Sequence, residues 1–221
     1  MKRKVIETAD GSKTLFIPDM NEQYHSVNGA LTESEYVFLK QGYLHHTSKA
    51  PVVFEVGFGT GLNALVTALK AAEQKRKTRF ISIEKYPLSS IELRELEYDK
   101  LISQAAADIF TTIHEAKWNE EVRITEYFSI LKIEADLKTF SFENLPQFDL
   151  IYFDAFAPDK QPDLWSAQIF ENIYKASNTK AIFVTYCAKG IIRRQLEATG
   201  FAVERLPGPP GKRQMMRGVA I

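Results

Sequence analysis

From residue 51 onward, short apolar runs alternate with longer amphipathic stretches. The apolar runs predict strands near residues 52–56, 79–84, 122–127, 148–154, 181–187, 201–206 and 214–220. The amphipathic stretches predict helices near 61–74, 88–99, 162–176 and 190–199, with further candidates near 101–115 and 138–143. Such alternation predicts an α/β fold in which helices cover both faces of a mostly parallel, seven-stranded sheet. The turn-rich link 207–211, Pro-Gly-Pro-Pro-Gly, predicts that the last two strands form a closing antiparallel hairpin.

The first 50 residues follow a different pattern. The segments 5–8 and 14–17 have strand-forming residues and flank the segment 10–12, Asp-Gly-Ser, which predicts a β-hairpin. We therefore predict an N-terminal extension over residues 1–50 and one main domain over residues 51–221.

A short helix is predicted at the end of this extension, after a loop over residues 24–30. It covers residues 32–43, with Thr32 as its N-cap and Glu35 in the capping-box position. The extension is thus predicted to consist of a hairpin, a loop and a helix.

The composition is ordinary for a globular protein, with 45% hydrophobic and 25% charged residues among 221. No apolar run approaches the roughly 18 residues that a membrane span needs. The N-terminus is basic, but Glu7, Asp10 and Gly11 follow where a signal peptide has its apolar core. We expect a cytoplasmic protein with no membrane contact, and the sequence leaves open whether it is a monomer or a weak dimer.

Metal and disulfide chemistry have little support in the sequence. The single cysteine, Cys187, excludes an intramolecular disulfide and a multi-cysteine zinc site, and its apolar surroundings favour a buried structural thiol. The histidines do not form a ligand pattern; they are His25, His45, His46 and His114. We expect no metal.

The overall balance of charge conceals a local excess of basic residues in the segment 189–221. Net charge is zero, with 28 basic and 28 acidic residues, which argues against non-specific binding to polyanions. Residues 189–221 nevertheless carry more basic than acidic side chains; the basic ones are Lys189, Arg193, Arg194, Arg205, Lys212, Arg213 and Arg217. This segment is either a phosphate-binding surface or a solvated helix face followed by a strand end.

The segment 57–63, G-F-G-T-G-L-N, follows the first strand of the main domain. Glycine lets the backbone approach a ligand closely, and the spacing G-x-G-x-G is tighter than that of dinucleotide-binding loops. It suits an adenosyl group without a pyrophosphate, as in S-adenosylmethionine, although an ordinary strand-to-helix turn also uses glycines. The donor-binding candidates here are Glu55, Gly57, Phe58, Gly59, Thr60, Gly61 and Asn63.

Further carboxylates stand where strands or apolar runs end, and ligands of doubly wound sheets bind at those ends. Glu84 can accept hydrogen bonds from both ribose hydroxyls of an adenosyl ligand, or it is a surface residue beside Lys85, which we include as a candidate. Asp136 can hold an adenine amino group while Leu137 packs on the ring, although a helix N-cap explains Asp136 equally well. Glu55, among apolar neighbours, needs hydrogen-bond donors if it is buried.

Asp154 ends the apolar strand 148–154, and Pro158 stiffens the turn that follows. An aliphatic amine is mostly protonated at neutral pH, since its pKa is roughly 10. A carboxylate beside it can orient it and take its proton directly or through water, so Asp154 is the catalytic candidate. The aromatic side chains of Phe156, Trp165 and Tyr186 can wall the site and stack on a base, or they are ordinary core residues.

Five segments combine into a more specific pattern than any motif alone. They are the segment 24–38, the loop 57–63, the segment D-A-F-A-P at 154–158, and the segments 185–194 and 211–218. In this combination the chain resembles, over essentially its whole length, the methyltransferase domain of the MnmC-type tRNA-modifying enzymes. The resemblance implies a Rossmann-like class I methyltransferase that uses S-adenosyl-L-methionine.

The resemblance also implies a reaction. It is methylation of the aminomethyl group of 5-aminomethyl-2-thiouridine at the tRNA wobble position, with Glu84 at the donor and Asp154 at the substrate amine. Many members of the family carry a fused flavin-dependent oxidase domain, for which this sequence has no room. We therefore expect the transferase alone, acting on an aminomethyl group that is produced by another route.

The anticodon loop of tRNA is the partner that follows, because a single-stranded wobble base is cheap to splay into a pocket. Phosphate contacts are then expected from Lys189, Arg193, Arg194, Lys212 and Arg213. Tyr24 and Asn28 either form a lid over the donor or brace the N-terminal hairpin. The alternatives are a small-molecule amine methyltransferase, a non-catalytic donor-binding module and, more remotely, a nicotinamide-dependent oxidoreductase.

Overall fold

The computed structural model describes residues 2–98 and 104–221. The strands in these ranges form two separate sheets. The smaller sheet is antiparallel, in the order β1 (Lys4–Glu7), β2 (Lys13–Ile17) and β3 (Glu22–Gln23). The larger sheet comprises β4 (Val52–Val56), β5 (Thr78–Glu84), β6 (Glu121–Thr125), β7 (Phe128–Glu134), β8 (Phe148–Phe153), β9 (Ser177–Thr185), β10 (Phe201–Pro207) and β11 (Gln214–Ala220).

The larger sheet has the strand order β10-β11-β9-β8-β4-β5-β7-β6. Strands β9, β8, β4, β5 and β7 run parallel to one another. Antiparallel strands close both edges, with β6 at one edge and the β10–β11 hairpin at the other. The predictions of a mostly parallel α/β sheet and of a closing C-terminal hairpin are therefore confirmed.

The predicted number of seven strands is wrong, because the larger sheet has eight. The predicted strand 122–127 ends at Thr125, and β7 begins at Phe128 after a two-residue turn. This turn contains Glu126 and Tyr127, neither of which is a typical turn residue, so the sequence carries no turn signal there. The buried Lys132 also interrupts the apolar pattern of β7.

The α-helices are α1 (Ala30–Glu33), α2 (Leu62–Gln74), α3 (Ser90–Leu96), α4 (Gln104–Glu115), α5 (Ala167–Lys175) and α6 (Gly190–Thr199). Ser34–Tyr43 continues α1 as a π-helix, and Pro18–Met20 and Pro162–Trp165 are short 3-10 helices. In the described ranges, no helix has the length and apolar character that crossing a membrane requires.

Two predicted helices differ from the structure. The segment 138–143 makes a turn closed by a bond from the amide of Thr139 to the carbonyl of Asp136, and it is not a helix. The predicted helix 162–176 is broken at Ser166, whose backbone is extended. Within the predicted helix 88–99, α3 ends at Leu96 because Glu97 has a left-handed backbone with φ +52°, and residue 99 lies outside the described residues, as does the start of the predicted helix 101–115.

Each face of the larger sheet has its own hydrophobic core. Successive strand residues point to opposite faces, so Val53 shares one core with residues of α2 and α4, while Phe54 shares the other with residues of α5 and α6. The π-helix Ser34–Tyr43 buries Phe38 and Tyr43 in the first of these cores. The N-terminal extension thus shares a core with the sheet that carries the site.

The start of α1 is held by the hairpin turn that precedes it. Asp10 accepts hydrogen bonds from the amide and the hydroxyl of Thr32, at 3.0 and 2.7 Å. The helix begins at Ala30, after Gly29, so the predicted N-cap at Thr32 and the capping-box role of Glu35 are wrong. The hydroxyl of Thr32 instead donates its hydrogen bond to Asp10 in the hairpin turn.

Candidate active site

A cavity of about 300 Å³ opens at the carboxyl ends of β4, β5, β7 and β8. Its volume is at the lower end of the range of roughly 300–1,000 Å³ found for ligand pockets. Predicted site residues that line it are Tyr24, Gly57, Phe58, Gly59, Asn63, Glu84, Lys85, Asp136, Leu137, Asp154 and Phe156. The fold therefore brings most predicted donor residues, and two predicted substrate residues, to one place.

The glycine loop passes so close to β8 that a side chain does not fit at its first position. Gly57 has φ +89°, and a Cβ there would stand 2.8 Å from the carbonyl oxygen of Asp154. The amide of Asp154 in turn donates to the carbonyl of Val56, at 3.0 Å. The loop and Asp154 are therefore held against each other by backbone contact.

Glu84 anchors the next part of the loop. One carboxylate oxygen accepts a hydrogen bond of 3.1 Å from the amide of Gly59, and the other accepts one of 2.8 Å from the amide of Tyr86. Each oxygen has a second lone pair for a ligand hydroxyl.

Lys85 and Asp136 face each other at the cavity wall. The ammonium of Lys85 lies 2.8 Å from Oδ2 of Asp136, and Oδ1 accepts from the amide of Lys138 at 3.0 Å. The hydrogen bond from Lys85 lowers the pKa of Asp136, so its carboxylate is ionised at neutral pH. Leu137 is buried beside it.

Asp154 is partly buried, and its carboxyl group changes its charge near neutral pH. Burial raises the pKa of Asp154 to about 7, and the negative charge of Glu33 acts in the same direction. The hydrogen bond of 2.8 Å from Nδ2 of Asn63 opposes this rise, and so does the positive charge of Lys212. A carboxyl group with this pKa is present in both forms at pH 7, as acid–base chemistry requires.

Three predicted donor residues lie behind the cavity wall. Glu55 is fully buried and accepts a hydrogen bond of 2.5 Å from the hydroxyl of Ser82, and burial raises its pKa well above the ordinary value, which favours its neutral form. Thr60 is buried, and its hydroxyl accepts from Tyr98 at 3.3 Å. Gly61 precedes α2. Thr60 and Gly61 belong to the glycine loop itself, and none of the three residues lines the cavity.

Of the three aromatic residues predicted to wall the site, Phe156 alone lines the cavity. Its ring contacts that of Tyr24 edge-on, with the ring centroids 5.0 Å apart. Trp165 is buried against Phe153 and donates from Nε1 to the carbonyl of Phe156, at 2.8 Å. It therefore positions the segment after Asp154, and of the two alternatives for Trp165 the structure supports the core residue.

Two further predicted substrate residues, Tyr186 and Pro158, do not line the cavity. The hydroxyl of Tyr186 donates to the carbonyl of Ala155, at 2.9 Å. Asn28 also lies elsewhere: it donates to Ser26 and touches Gly211, so it braces the N-terminal loop against the β10–β11 turn.

The predicted phosphate-binding residues lie outside the cavity, near the β10–β11 edge. Lys189 pairs with Asp159, Arg193 pairs with Glu197 at 2.7 Å, and Lys212 pairs with Glu33. Arg194 and Arg213 are exposed and make no ion pair within the described part of the chain.

Two charged residues near the loop and Asp154 were not candidates in the sequence. Glu33 is buried at the end of α1, and Lys132 is buried on β7 beneath Phe58. The segment 24–38 contains Glu33, but no sequence signal places it next to Asp154. In the sequence, Lys132 stands out only as a charged residue within an apolar run.

This fold and this cavity define a Rossmann-like methyltransferase. The family model described as S-adenosyl-L-methionine-dependent methyltransferase matches residues 96–221. The chain belongs to that family: it is a methyltransferase whose methyl donor is S-adenosyl-L-methionine.

Individual relatives add detail. The chain is 32% identical to the tRNA 5-methylaminomethyl-2-thiouridine biosynthesis bifunctional protein MnmC of Aeromonas hydrophila, over 90% of this chain and 33% of that protein. It thus spans about a third of the length of the curated relatives it matches. The crystal structure of MNMC2 from Aquifex aeolicus superposes with a TM-score of 0.79 at 25% identity, covering 98% of this chain and 69% of that one.

A more distant structure shares the fold. Spermidine synthase from Thermotoga maritima superposes with a TM-score of 0.54 at 13% identity, covering 99% of this chain and 72% of that one.

Proposed function

We propose that this chain methylates the amino nitrogen of 5-aminomethyl-2-thiouridine at the wobble position of tRNA, giving the 5-methylaminomethyl nucleoside. The observation that carries the proposal is the carboxyl group of Asp154, which lies in the cavity beside the glycine loop. The similarity to proteins named for tRNA 5-methylaminomethyl-2-thiouridine biosynthesis supports the choice of substrate.

The cavity residues fit the methyl donor. Glu84 has free lone pairs for the ribose hydroxyls, Asp136 is an ionised acceptor for the adenine amino group, and Leu137 is an apolar surface for the ring. Gly57 and Gly59 let the backbone approach the methionyl part. When bound, S-adenosyl-L-methionine supplies an electrophilic methyl carbon.

Asp154 acts on the substrate amine. A primary amine with a pKa of roughly 10 reaches the site as an ammonium, which has no lone pair for attack. The carboxylate of Asp154 orients this ammonium by a charge-assisted hydrogen bond and takes a proton from it, directly or through a water molecule. The walls of the cavity exclude bulk water and hold the nitrogen in line with the methyl group.

The basic surface near the β10–β11 edge binds the tRNA backbone. Arg194, Arg205 and Arg213 are its cations without an ion pair in the described ranges, and Arg194 and Arg213, which the sequence predicts as phosphate contacts, are the strongest candidates. Arg194→Glu with Arg213→Glu should weaken tRNA binding and flatten its salt dependence. Arg123→Glu, an exposed change on β6 at the opposite edge of the sheet, is the matched control and should change neither.

The direct test is mass spectrometry of nucleosides from tRNA that carries 5-aminomethyl-2-thiouridine, after incubation with the protein and the donor. The wild-type protein should add one methyl group to that nucleoside. Asp154→Asn should cut turnover by on the order of a hundredfold, the lower bound for loss of a general base, while titration calorimetry still detects donor binding. Donor binding by the wild-type protein without any methylation of this tRNA would refute the proposed substrate.

A small-molecule amine methyltransferase is the second candidate. It is favoured by one observation: Lys189, Arg193 and Lys212 are engaged in ion pairs, which reduces the charge available for phosphates. The free nucleoside 5-aminomethyl-2-thiouridine distinguishes the two. The tRNA proposal expects much slower turnover of the nucleoside than of tRNA, and equal rates would favour the second candidate.

A further inference from the structure

Three side chains from distant parts of the chain meet near the segment that follows Asp154. The ammonium of Lys212, from the β10–β11 turn, contacts Oε1 of Glu33, from α1. The same ammonium lies 3.8 Å from the ring centroid of Tyr186, which follows β9. The other oxygen of Glu33 accepts a hydrogen bond of 2.8 Å from the amide of Ser26.

The cluster is connected to the segment that carries Asp154. The hydroxyl of Tyr186 donates to the carbonyl of Ala155, the next residue along the chain. The side chain of Glu33 is only 6% exposed, so its charge acts on its neighbours with little screening by solvent. A buried carboxylate and a partly buried ammonium therefore belong to a cluster whose tyrosine hydroxyl bonds the residue that follows Asp154.

We propose that Glu33 and Lys212 are positioning residues that set the charge state of Asp154, so that the N-terminal extension and the β10–β11 turn together complete the active site. The inference rests on the proposed function in one respect only, namely that Asp154 handles the substrate amine. The effect of Glu33 and Lys212 on the charge of the Asp154 carboxyl group does not depend on which substrate is methylated.

Of the other titratable groups around Asp154, Tyr186 and His25 are neutral at pH 7. Burial raises the pKa values of Glu55 and Tyr186, and burial lowers the pKa of His25 to about 4. Glu33 and Lys212 are the charged residues that act on the pKa of Asp154 in the described part of the chain, although Glu84, Lys85 and Asp136 line the same cavity. Because the charges of Glu33 and Lys212 are opposite, each cancels much of the effect of the other.

The balance has a consequence for the substrate. With Asp154 ionised, two carboxylates and one ammonium share the cluster, so it carries one excess negative charge. This excess favours the entry of a cationic substrate group such as a protonated primary amine. When Asp154 is protonated, the excess negative charge disappears. Binding of the cationic substrate group is therefore favoured when Asp154 is ionised and able to accept a proton.

The test compares Glu33→Gln with Lys212→Met in the full chain. The pKa of Asp154 is followed by NMR of ¹³C-labelled aspartate carboxyl groups, with the Asp154 signal assigned from Asp154→Asn. Glu33→Gln should lower this pKa and Lys212→Met should raise it, each by about one pH unit. The acid limb of the kcat/KM profile on tRNA should move in the same two directions.

Controls separate this role from a structural one. Glu33→Gln keeps the shape and an acceptor for the amide of Ser26, and Lys212→Arg restores the charge and should return the pKa toward the wild-type value. Lys70→Met and Glu73→Gln disrupt another ion pair, on the surface of α2, and should leave the Asp154 titration unchanged. If Lys212→Met does not fold, Lys212→Gln replaces it.

The outcomes distinguish the two proposals. Opposite pKa changes without methylation of tRNA would uphold the role of Glu33 and Lys212 and refute the proposed substrate. Methylation of tRNA by the wild-type protein, with the Asp154 titration unmoved or moved in the same direction by both variants, would overturn the inference and leave the proposed function standing.

Discussion

Asn63 donates a hydrogen bond of 2.8 Å from Nδ2 to Oδ2 of Asp154. Asn63 lies in the first turn of α2, directly after the glycine loop, and Asp154 directly follows β8. One side-chain contact therefore joins the helix that follows the glycine loop to the proposed catalytic residue. A hydrogen bond to a carboxylate stabilises its ionised form, and here it opposes the effect of burial on the pKa.

Asn63→Ala should raise the pKa of Asp154 above about 7, because the ionised carboxylate loses a donor. Less of the carboxylate is then ionised at pH 7, so kcat/KM at this pH should fall several-fold to about tenfold, and the acid limb should move to higher pH. Thr67→Val, one turn further along α2 and buried against Tyr152, is the matched control. An unchanged acid limb in Asn63→Ala would show that this bond does not tune Asp154.

Glu84→Gln should weaken donor binding. The carboxylate accepts backbone hydrogen bonds on both oxygens, and an amide can accept on only one. Loss of one charge-assisted bond costs about 1.5–3 kcal/mol, so calorimetry should show an affinity lower by on the order of ten- to a hundredfold. Glu134→Gln, at the paired position of β7 and exposed, should bind the donor normally. Equal affinities of the two variants would remove Glu84 from the donor site.

Gly57→Ala should impair both folding and donor binding. The new Cβ meets the carbonyl of Asp154 at 2.8 Å, and φ is +89°. Gly11→Ala isolates the backbone cost, because φ is +80° there and nothing lies within 4 Å of the new Cβ. We expect a loss of about 1–2 kcal/mol in the free energy of unfolding for Gly11→Ala and a larger loss for Gly57→Ala. Equal losses in urea titrations would mean that the contact with Asp154 is not tight.

Lys132→Met should stabilise the protein at pH 7. Burial lowers the pKa of Lys132 to about 8, and in the described ranges its ammonium contacts the carbonyl of His114 and two aromatic rings but no carboxylate. Removing the desolvated charge should raise the free energy of unfolding by on the order of 1 kcal/mol.

This gain should depend on pH in one direction. The pKa is lower in the folded state than the value of about 10.4 in the unfolded chain, so the wild-type protein gains relative stability as pH rises from 8 to 10.4. The advantage of Lys132→Met should therefore shrink over this window. The exposed change Lys117→Met should show no such trend, and an advantage that is constant with pH would contradict the assignment.

Most residues of the cavity could be predicted from the sequence because they lie where strands end. Gly57, Glu84, Asp136 and Asp154 each follow or end an apolar run, and parallel strands carry their carboxyl ends to the same edge of a sheet. The local pattern and one topological rule therefore placed them together. Strand β7 escaped prediction because its turn lacks typical turn residues and its register includes the buried Lys132.

Composition, strand-end chemistry and local periodicity determined the class of fold, the donor loop and the choice of Asp154. The tertiary structure alone decided that Trp165 is a buried support and that Glu33 meets Lys212, 179 positions away. Periodicity reports which face of an element is apolar, but the partner of a buried charge depends on how distant elements pack. The environment that sets the charge of Asp154 is therefore a property of the assembled fold.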